Sequence, residues 1–428
     1  MAWYGWAGEK PPLGVPRHAG LGTMPRMSAD RRAPRPSFVV WLLVATIGWA
    51  GFALIATQLA SLDPSRLGDD LRLLVEAGIR SRDGAPLYAT VRSGTTLETE
   101  SLFYSYPPLV AQAMSMIAGI PLPAIFVVWT AGAVGGLWLV AERLGRDGRA
   151  VAWPALALAP YVYPLAVALL MSNVNGWFPA AFGLVLAAVL AGGRGSPFAG
   201  GAALAVATAT KLHPGSMGLW LLVRGVRDAR SRRSSRALQI LAVAAAVGLG
   251  LLVISLAIGG PDPWADYLAF LRESASAADV VSPLNVGPAS QVALVFRLSD
   301  ASARTLQVGI TIVAIAGTAI AAWGLDDGLE SFAWATVASL VILPVTWFHY
   351  PVALVPVALA AGSRARGEAW LRTALLLGAA IISAALAIVM PVLVWVAALV
   401  VVAATHASRP SDPPSAVRGA QVPLPGAP

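Results

Sequence analysis

The sequence predicts an all-α, polytopic membrane protein with about ten full spans, and three observations carry this prediction. Of its 428 residues, 57% are hydrophobic. Only 12% are charged, which is about half the fraction of a soluble domain. Long apolar runs without Asp, Glu, Lys or Arg recur along the chain, and a run of about 20 such residues crosses a bilayer as a helix. The composition therefore argues against a water-soluble globular protein.

The apolar runs give each span in turn. We place the spans near residues 38–60, 121–141, 150–170, 175–192, 238–258, 304–324, 331–347, 348–363, 373–389 and 391–406. A polar stretch of about 35 residues precedes the first run, so we interpret that run as an uncleaved span rather than a signal peptide. The membrane domain then covers residues 36–406. The flanking segments 1–35 and 407–428 are rich in Pro, Gly and Ser, which predicts cytoplasmic disorder.

Arginine sets the predicted orientation, because basic residues favour the cytoplasmic side. The Arg-rich segments 1–35, 224–236 and 363–372 are expected inside. The long polar loops 61–106 and 260–303 hold more acidic than basic residues, and we expect them on the outer face. The net charge of +8 therefore indicates topology, and no nucleic-acid-binding motif accompanies it.

This orientation leaves two segments that do not cross. Segment 198–223 begins and ends inside, and His213-Pro214 interrupts it, because proline disrupts a helix and restricts the residue before it. We predict a re-entrant hairpin of two short helices with Lys211 near its tip. Segment 107–119 opens with two prolines and is too short to span. It is expected to form a juxtamembrane helix on the outer face.

Lys211 is the only lysine within the predicted membrane domain. An ionisable group at membrane depth costs roughly 2.5–3.5 kcal/mol on insertion scales. One interpretation is a side chain that snorkels to the interface. The other is an ammonium group that meets a lipid-linked phosphate, with His213 as a second donor.

The first outer loop carries adjacent acids, Asp69 and Asp70, before an amphipathic helical pattern. An acid in the first turn of a helix favours its dipole, so a capping role is one interpretation. The other is a carboxylate held at the membrane surface as a general base. The sequence alone leaves open which of the two acids this is.

Several polar and aromatic positions are candidates for substrate contact. Tyr104 and Tyr106 form an interfacial aromatic belt or a platform for a sugar or lipid head group. Asn173 and Asn175 lie in a turn between spans or bind substrate. His349 is a hydrogen-bonded core residue or a member of the site. The second outer loop adds Asn285, Ser290, Gln291 and Arg297.

The residue inventory also limits the chemistry. The chain has no Cys and four His that lie far apart in sequence. The first fact excludes disulfides, thiol catalysis and thiolate metal ligands. The second gives no local support for a metal centre. We therefore predict neither a metal nor a cofactor.

Several segments together resemble the polyprenyl-phosphate-sugar-dependent membrane glycosyltransferases of the C-type fold. The likeness is to glycosyltransferase family 87, which includes mycobacterial phosphatidylinositol-mannoside α-1,2-mannosyltransferases. It rests on Asp70-Leu71, Ala77-Gly78, the segment 84–88, the segment 104–109, Asn173-Val174-Asn175, Lys211-Leu212-His213-Pro214 and the segment 343–350. The resemblance implies Asp70 as the catalytic base, His349 in catalysis or substrate contact, and Lys211 facing the carrier phosphate.

The resemblance implies an inverting transfer of a sugar, mannose by likeness, from a polyprenyl-phosphate donor to a lipid-linked or glycan hydroxyl on the outer face of the plasma membrane. The predicted phosphate ligands are Lys211, His213 and Arg297. The predicted substrate-binding side chains are Asp69, Tyr104, Tyr106, Asn173, Asn175, Asn285, Ser290, Gln291 and Trp347. A flippase or transporter of lipid-linked sugars is the alternative, although such a protein would more often carry its acids at the membrane midplane.

Overall fold

The computed structural model describes residues 38–62, 67–88, 104–145, 148–190, 195–231, 234–277 and 280–409. Within these ranges every regular element is helical, which confirms the predicted all-α class. The disorder predicted for segments 1–35 and 407–428 concerns residues outside the described ranges, except for 407–409, where Ala407 ends the last helix and Arg409 pairs with Asp327.

The helices follow one another with short connections. In chain order they are α1 (Phe38–Leu62), α2 (Asp69–Arg82), α3 (Pro108–Ser115), α4 (Leu122–Leu144), α5 (Gly148–Leu158), α6 (Tyr163–Leu170), α7 (Phe178–Leu190), α8 (Pro197–Thr210), α9 (Met217–Arg230), α10 (Arg236–Gly259), α11 (Asp262–Ala277), α12 (Pro288–Phe296), α13 (Asp300–Gly324), α14 (Gly328–Val341), α15 (Val355–Arg364), α16 (Glu368–Leu386) and α17 (Leu393–Ala407). Short 3₁₀ helices cover Ala159–Tyr161, Val174–Trp177, His213–Ser216 and Tyr350–Leu354.

Within the described ranges, five helices are long and apolar enough to cross a membrane. They are α1, α4, α10, α13 and α16. Each coincides with a span expected from the sequence, so the protein is confirmed as a multi-pass membrane protein. Large apolar side chains on these helices remain exposed, among them Ile47, Val128 and Ile320, as expected for surfaces that face lipid. The total of about ten spans stays a prediction.

The other predicted spans are shorter or broken. The span expected at 150–170 is a bent pair, in which Val151–Tyr161 and Tyr163–Leu170 differ in direction by 73°. Pro160 and Pro164 flank the bend, and proline removes a helical hydrogen bond. Helices α7, α8, α14 and α17 are apolar but have only 13 to 15 residues each. At 1.5 Å per residue they extend about 20 Å, less than the ~30 Å hydrocarbon core.

The predicted break within 198–223 is present. Helix α8 ends at Thr210, a 3₁₀ turn covers His213–Ser216, and α9 begins at Met217. That the two helices form a re-entrant hairpin stays a prediction. Helix α9 continues to Arg230, into the Arg-rich segment, because its arginines have partners. The guanidinium groups of Arg224 and Arg227 both donate to the Leu325 carbonyl, at 2.6 and 2.7 Å.

Small residues let the helices approach closely. A Cβ on Gly201 of α8 would lie 2.6 Å from the Ile240 carbonyl oxygen of α10. A Cβ on Gly78 of α2 would lie 2.7 Å from the Met114 backbone of α3. Small residues that allow such close approach are common where membrane helices pack together. The second contact fixes α2 against α3 and thereby places the start of α2.

Charged side chains at one end of the bundle cluster around Asp327, the residue before α14. Its carboxylate caps α14 by accepting from the Leu329 amide at 2.9 Å. It also pairs with Arg364 at 2.6 Å and with Arg409 at 3.2 Å. Arg409 bonds Glu330 as well. We call Asp327, Glu330, Arg364 and Arg409 the Asp327 clamp.

Helix α7 runs between this end and the site described below. A Cβ on Gly328, the first residue of α14, would lie 3.3 Å from the Leu190 side chain at the end of α7. The start of α7, at Phe178, contacts the His213 ring with centroids 5.2 Å apart. The Asp327 clamp and the His213 region therefore lie at opposite ends of α7.

Candidate active site

The start of α2 is held by backbone hydrogen bonds to the end of α6. The Gly68 amide donates to the Leu170 carbonyl at 2.9 Å, and the Asp70 amide donates to the Met171 carbonyl at 3.2 Å. Gly68 has φ 68°, a left-handed conformation that glycine adopts without steric strain. These contacts set the position of Asp70 relative to the turn that follows α6.

That turn supplies the partner of the Asp70 side chain. The Asn173 side-chain amide donates to Asp70 Oδ2 at 2.8 Å, across 103 residues of sequence. Asn173 Oδ1 in turn accepts the Asn175 backbone amide at 2.8 Å. Ser172, which precedes Asn173, is fully buried and has φ 50°. A non-glycine residue in this conformation is uncommon and often marks a functional turn.

Lys211 brings a cation to the same place. It follows the last residue of α8 in an extended conformation, with φ −155°. Its Nζ lies 3.9 Å from the centre of the Tyr350 ring and 5.9 Å from that of Tyr106, both within the range of a cation–π contact. The charges of Lys211 and Asp70 influence each other. Among the described residues, however, Lys211 forms no ion pair.

Two imidazoles flank the same tyrosine. The His213 ring stacks on Tyr350 with centroids 5.7 Å apart and planes 5° apart. The His349 ring meets Tyr350 edge-on at 5.0 Å. Both histidines are more than nine-tenths buried. Within the described ranges, both ring nitrogens of His213 and Nε2 of His349 have no hydrogen-bond partner. Because buried polar atoms are normally paired, these unpartnered nitrogens make the two histidines candidates for substrate contact.

The residues that meet here come from five separate segments of the chain. We call them the Asp70–Lys211 site: Asp70, Tyr106, Asn173, Lys211, His213, His349 and Tyr350. Sequence reasoning named six of them and missed Tyr350. A signal was present, because Tyr350 follows His349 directly and precedes a proline that interrupts an apolar run.

The surroundings of Asp70 shift the pKa of its carboxyl group. Burial raises the pKa of Asp70 above its usual value, although the hydrogen bond from Asn173 and the charge of Lys211 act in the opposite direction. The charge of Asp69 adds a smaller upward effect. A carboxylate whose pKa is raised holds a proton more strongly, which suits a general base.

Asp69 has a different environment from its neighbour. Its carboxylate pairs with Arg72 of the same helix at 3.5 Å. Arg72 also lies 3.9 Å from Glu76, one further turn along α2. Asp70, in contrast, is the acid that contacts Asn173 and senses Lys211. The geometry therefore favours Asp70 over Asp69 for chemistry.

Two tyrosines in the aromatic segment after residue 103 have different structural roles. The Tyr104 hydroxyl donates to the Pro107 carbonyl at 2.7 Å and accepts from the Ala111 amide at 2.9 Å, so it secures the start of α3. The Tyr88 hydroxyl donates to the Tyr106 carbonyl at 2.6 Å. This contact positions Tyr106, whose ring faces Lys211. A substrate contact by Tyr104 stays a prediction.

The polar residues of the second outer loop bind the chain itself. The Asn285 side chain makes four hydrogen bonds, with the backbones of Val280, Gly287, Pro344 and Thr346 at 2.9–3.0 Å. It thereby ties the loop to the segment that leads to His349. Ser290 hydrogen-bonds Ser282, and the Gln291 side chain donates to the Asn285 carbonyl. Substrate binding by these three residues stays a prediction.

Three other predicted ligands are less closely tied to this site. Arg297 ends α12 with φ 52° and is exposed, and it makes no ion pair within the described ranges. Trp347 is 40% exposed and precedes His349 by two residues. Asn175 is fully buried, and both polar atoms of its side chain lack a partner among the described residues. Their proposed substrate contacts stay predictions.

A comparison with known proteins identifies the family to which this chain belongs. A search of curated proteins finds no match to this chain. The family model described as Glycosyltransferase family 87 matches residues 104–346, which is more than half of the chain. The match includes Tyr106, Asn173 and Lys211, and the fold brings Asp70 and His349 to them from outside the matched range. The chain belongs to glycosyltransferase family 87 and is a membrane glycosyltransferase.

Proposed function

We propose that the protein is an inverting glycosyltransferase of the C-type fold that uses a polyprenyl-phosphate sugar as donor. The acceptor is a hydroxyl of a lipid-linked molecule or glycan at the outer face of the plasma membrane. The observation that carries this proposal is the arrangement of Asp70 and Lys211. A half-buried carboxylate and a half-buried ammonium share one site, and within the described residues neither forms an ion pair.

Asp70 acts as the base. Its carboxylate accepts the proton of the acceptor hydroxyl while that oxygen attacks the anomeric carbon. The bond between the anomeric carbon and the phosphate oxygen breaks in the same step, and the polyprenyl phosphate leaves with the electron pair. A single displacement inverts the anomeric centre, so a β-linked mannosyl phosphate gives an α-mannoside. Mannose itself rests on the sequence likeness.

Lys211 stabilises the leaving phosphate. Its contacts in the structure are the rings of Tyr350 and Tyr106, which attract the ammonium but do not neutralise it. A phosphate oxygen would supply a charge-assisted hydrogen bond. The unpartnered nitrogens of His213 and His349 provide further contacts to the phosphate or to sugar hydroxyls. Arg297, which is exposed after the end of α12, adds a second cation for the phosphate.

The outer-face location rests on the two ends of the bundle. The Arg-rich segments 224–236 and 363–372 contribute Arg224 and Arg364, which bind the connection between α13 and α14. Helix α7 leads from that end to the Asp70–Lys211 site. Because arginine-rich ends favour the cytoplasm, the site falls on the opposite face, where a lipid-linked sugar and its acceptor meet.

The test is a direct assay of transfer. Purified full-length protein is incubated with polyprenyl-phosphate mannose and a panel of lipid acceptors, and the products are identified by mass spectrometry. We expect a mannosylated lipid whose new linkage is α by NMR. Retention of the donor configuration would contradict the mechanism. Movement of a labelled donor between the two leaflets of proteoliposomes, without any glycosidic product, would instead support the flippase alternative.

A further inference from the structure

We propose that Asn173 is a positioning residue for Asp70, and that it leaves one carboxylate oxygen of Asp70 to receive the acceptor proton. The inference rests on the proposed function, in which Asp70 is the base. It assigns Asn173 a role different from the substrate contact expected from the sequence. It also identifies which oxygen of the base acts.

The orientation of the Asn173 amide follows from its two partners. The backbone amide of Asn175 is a donor, so it requires the Asn173 oxygen at 2.8 Å. The opposite end of the amide is then its NH₂ group, which donates to Asp70 Oδ2 at 2.8 Å. A flipped amide would face its NH₂ group against the Asn175 amide and its oxygen against the carboxylate. Both contacts would be repulsive.

The two oxygens of Asp70 are therefore unequal. Oδ2 accepts the bond from Asn173, while within the described residues Oδ1 accepts none. The Asp70 backbone is itself fixed by its amide, which donates to the Met171 carbonyl. With both backbone and side chain held by the same turn, the carboxylate does not rotate freely. Oδ1 is the oxygen that remains to take the acceptor proton.

The turn that carries Asn173 is built to hold this geometry. The amide of Ser172 donates to the Leu169 carbonyl at 3.1 Å, and the amide of Asn173 donates to the Ala168 carbonyl at 2.9 Å. Ser172 adopts φ 50° at a fully buried position. Strain of this kind persists where surrounding contacts over-determine the backbone. The turn thus directs the Asn173 side chain towards α2.

The alternative role for Asn173 is a direct substrate contact. The side chain is 4% exposed, its oxygen is occupied, and its NH₂ group has at most one hydrogen left to donate. A substrate ligand would change the KM of donor or acceptor when removed. A residue that positions the base would change kcat and its pH dependence.

The experiment replaces Asn173 with Asp and with Ala in the full-length enzyme. Asn173→Asp keeps the oxygen that accepts from Asn175, and it replaces the donor to Asp70 with a second carboxylate oxygen. We expect kcat to fall by about 10- to 100-fold in both variants, as for the loss of a hydrogen bond to a charged group, with both KM values within about twofold. The acid limb of kcat/KM should move to higher pH, by about one unit for Ala. It should move further for Asp, where two carboxylates compete for one proton.

A matched control removes another buried amide. Gln112 is 4% exposed, and its side chain donates to the Ser255 carbonyl and accepts from its hydroxyl. Gln112→Ala should lower thermal stability without moving the acid limb. If Asn173→Ala does not fold, the nearly isosteric Asn173→Asp decides through its effect on kcat against KM, because its added charge raises the pKa of Asp70 by itself.

Two results would overturn the inference. One is an unmoved acid limb in a folded Asn173→Asp variant. The other is a raised KM with unchanged kcat, which would make Asn173 a substrate ligand. Failure of the proposed function has a separate signature, because the unmodified enzyme would then yield no glycosidic product from any donor and acceptor.

Discussion

The two charged regions at opposite ends of α7 arrange their ionised groups in opposite ways. In the Asp327 clamp every carboxylate meets a cation, since Asp327 binds Arg364 and Arg409, and Glu330 binds Arg409. In the Asp70–Lys211 site the ammonium lies over the Tyr350 ring and the carboxylate accepts from an uncharged amide. The described residues give Asp70 and Lys211 no ion pair.

This difference distinguishes charged groups that stabilise the fold from charged groups that are positioned to bind a ligand. A paired and capped carboxylate stabilises the structure, and removing its partner destabilises it. An unpaired cation that is partly removed from water destabilises the empty protein and is retained where a ligand compensates it. Neutralising a charge should therefore have opposite effects in the two regions. It should reduce activity and spare stability in the site, and do the reverse in the clamp.

The largest expected effect is at Asp70. Asp70→Asn should lower kcat by about 10²–10⁴-fold, the range for loss of a general base, with unfolding temperature maintained. The matched variant Asp69→Asn should stay within a few-fold of the unmodified enzyme, because Asp69 pairs with Arg72. Initial rates of transfer with purified variants measure both. Normal turnover by Asp70→Asn, or equal losses in the two variants, would refute the assignment of the base.

The pH dependence of the unmodified enzyme is a second test of Asp70 as the base. Burial raises the pKa of Asp70, and a base acts only in its deprotonated form. The kcat/KM for the acceptor should therefore rise with pH through a limb that lies above about 3.9, the usual value for Asp. The profile is measured with a saturating donor. A limb at or below the usual value would contradict the raised pKa.

Lys211 should show the next largest effect. Lys211→Met removes the cation but keeps a long apolar side chain over Tyr350. We expect kcat/KM for the donor to fall by about 10²–10³-fold, as when an electrostatic stabiliser of the leaving group is lost. Lys211→Arg should retain more activity, because guanidinium also packs on aromatic rings.

The same Lys211 variant tests the comparison between the regions. In the absence of donor, Lys211→Met should unfold at the same or a higher temperature than the unmodified protein, because a half-buried, unpaired charge is removed. Thermal unfolding followed by tryptophan fluorescence measures this. A large loss of stability would show that the ammonium has a structural role, and the distinction drawn from the clamp would fail.

The sequence predicted the elements well and the contacts poorly. The long apolar runs located α1, α4, α10, α13 and α16, and Pro214 located the break after α8. These features depend on local composition and on the backbone chemistry of proline. The bend of 73° within the span at 150–170 escaped prediction, because an apolar run does not reveal whether its helix is continuous.

The site was predicted as single residues rather than as an arrangement. Lys211 was marked by its isolation in an apolar segment. Its contact with Tyr350 depends on the packing of the 213–216 and 350–354 turns, which no local pattern encodes. The bond from Asn173 to Asp70 likewise joins residues 103 positions apart. Asn285 shows the opposite error. Its position in a polar loop suggested substrate binding, whereas its side chain makes four hydrogen bonds to the backbone.

The smallest effect on activity should come from Asp327, where the effect on stability is clear. Asp327→Asn keeps a side chain that caps α14, since Asn and Asp cap equally well, but it removes the charge that Arg364 and Arg409 share. Asp327→Ala removes both the cap and the charge. We expect kcat within about twofold for both and destabilisation of about 1–3 kcal/mol, with Ala the larger.

The pH dependence of this stabilisation has a definite sign. Burial alone would raise the pKa of Asp327, but the hydrogen bond and charge of Arg364 and the amides of Leu329 and Glu330 hold it below the usual value. A carboxylate with a depressed pKa stabilises the fold above its unfolded pKa of about 4 and loses that contribution as pH falls through the folded value. The difference in unfolding temperature between the unmodified protein and Asp327→Asn should therefore be constant near neutral pH and shrink below about pH 4. A difference that persists undiminished in acid would mean that Asp327 stabilises through its shape rather than its charge, and the clamp would no longer serve as the paired counterpart of the Asp70–Lys211 site.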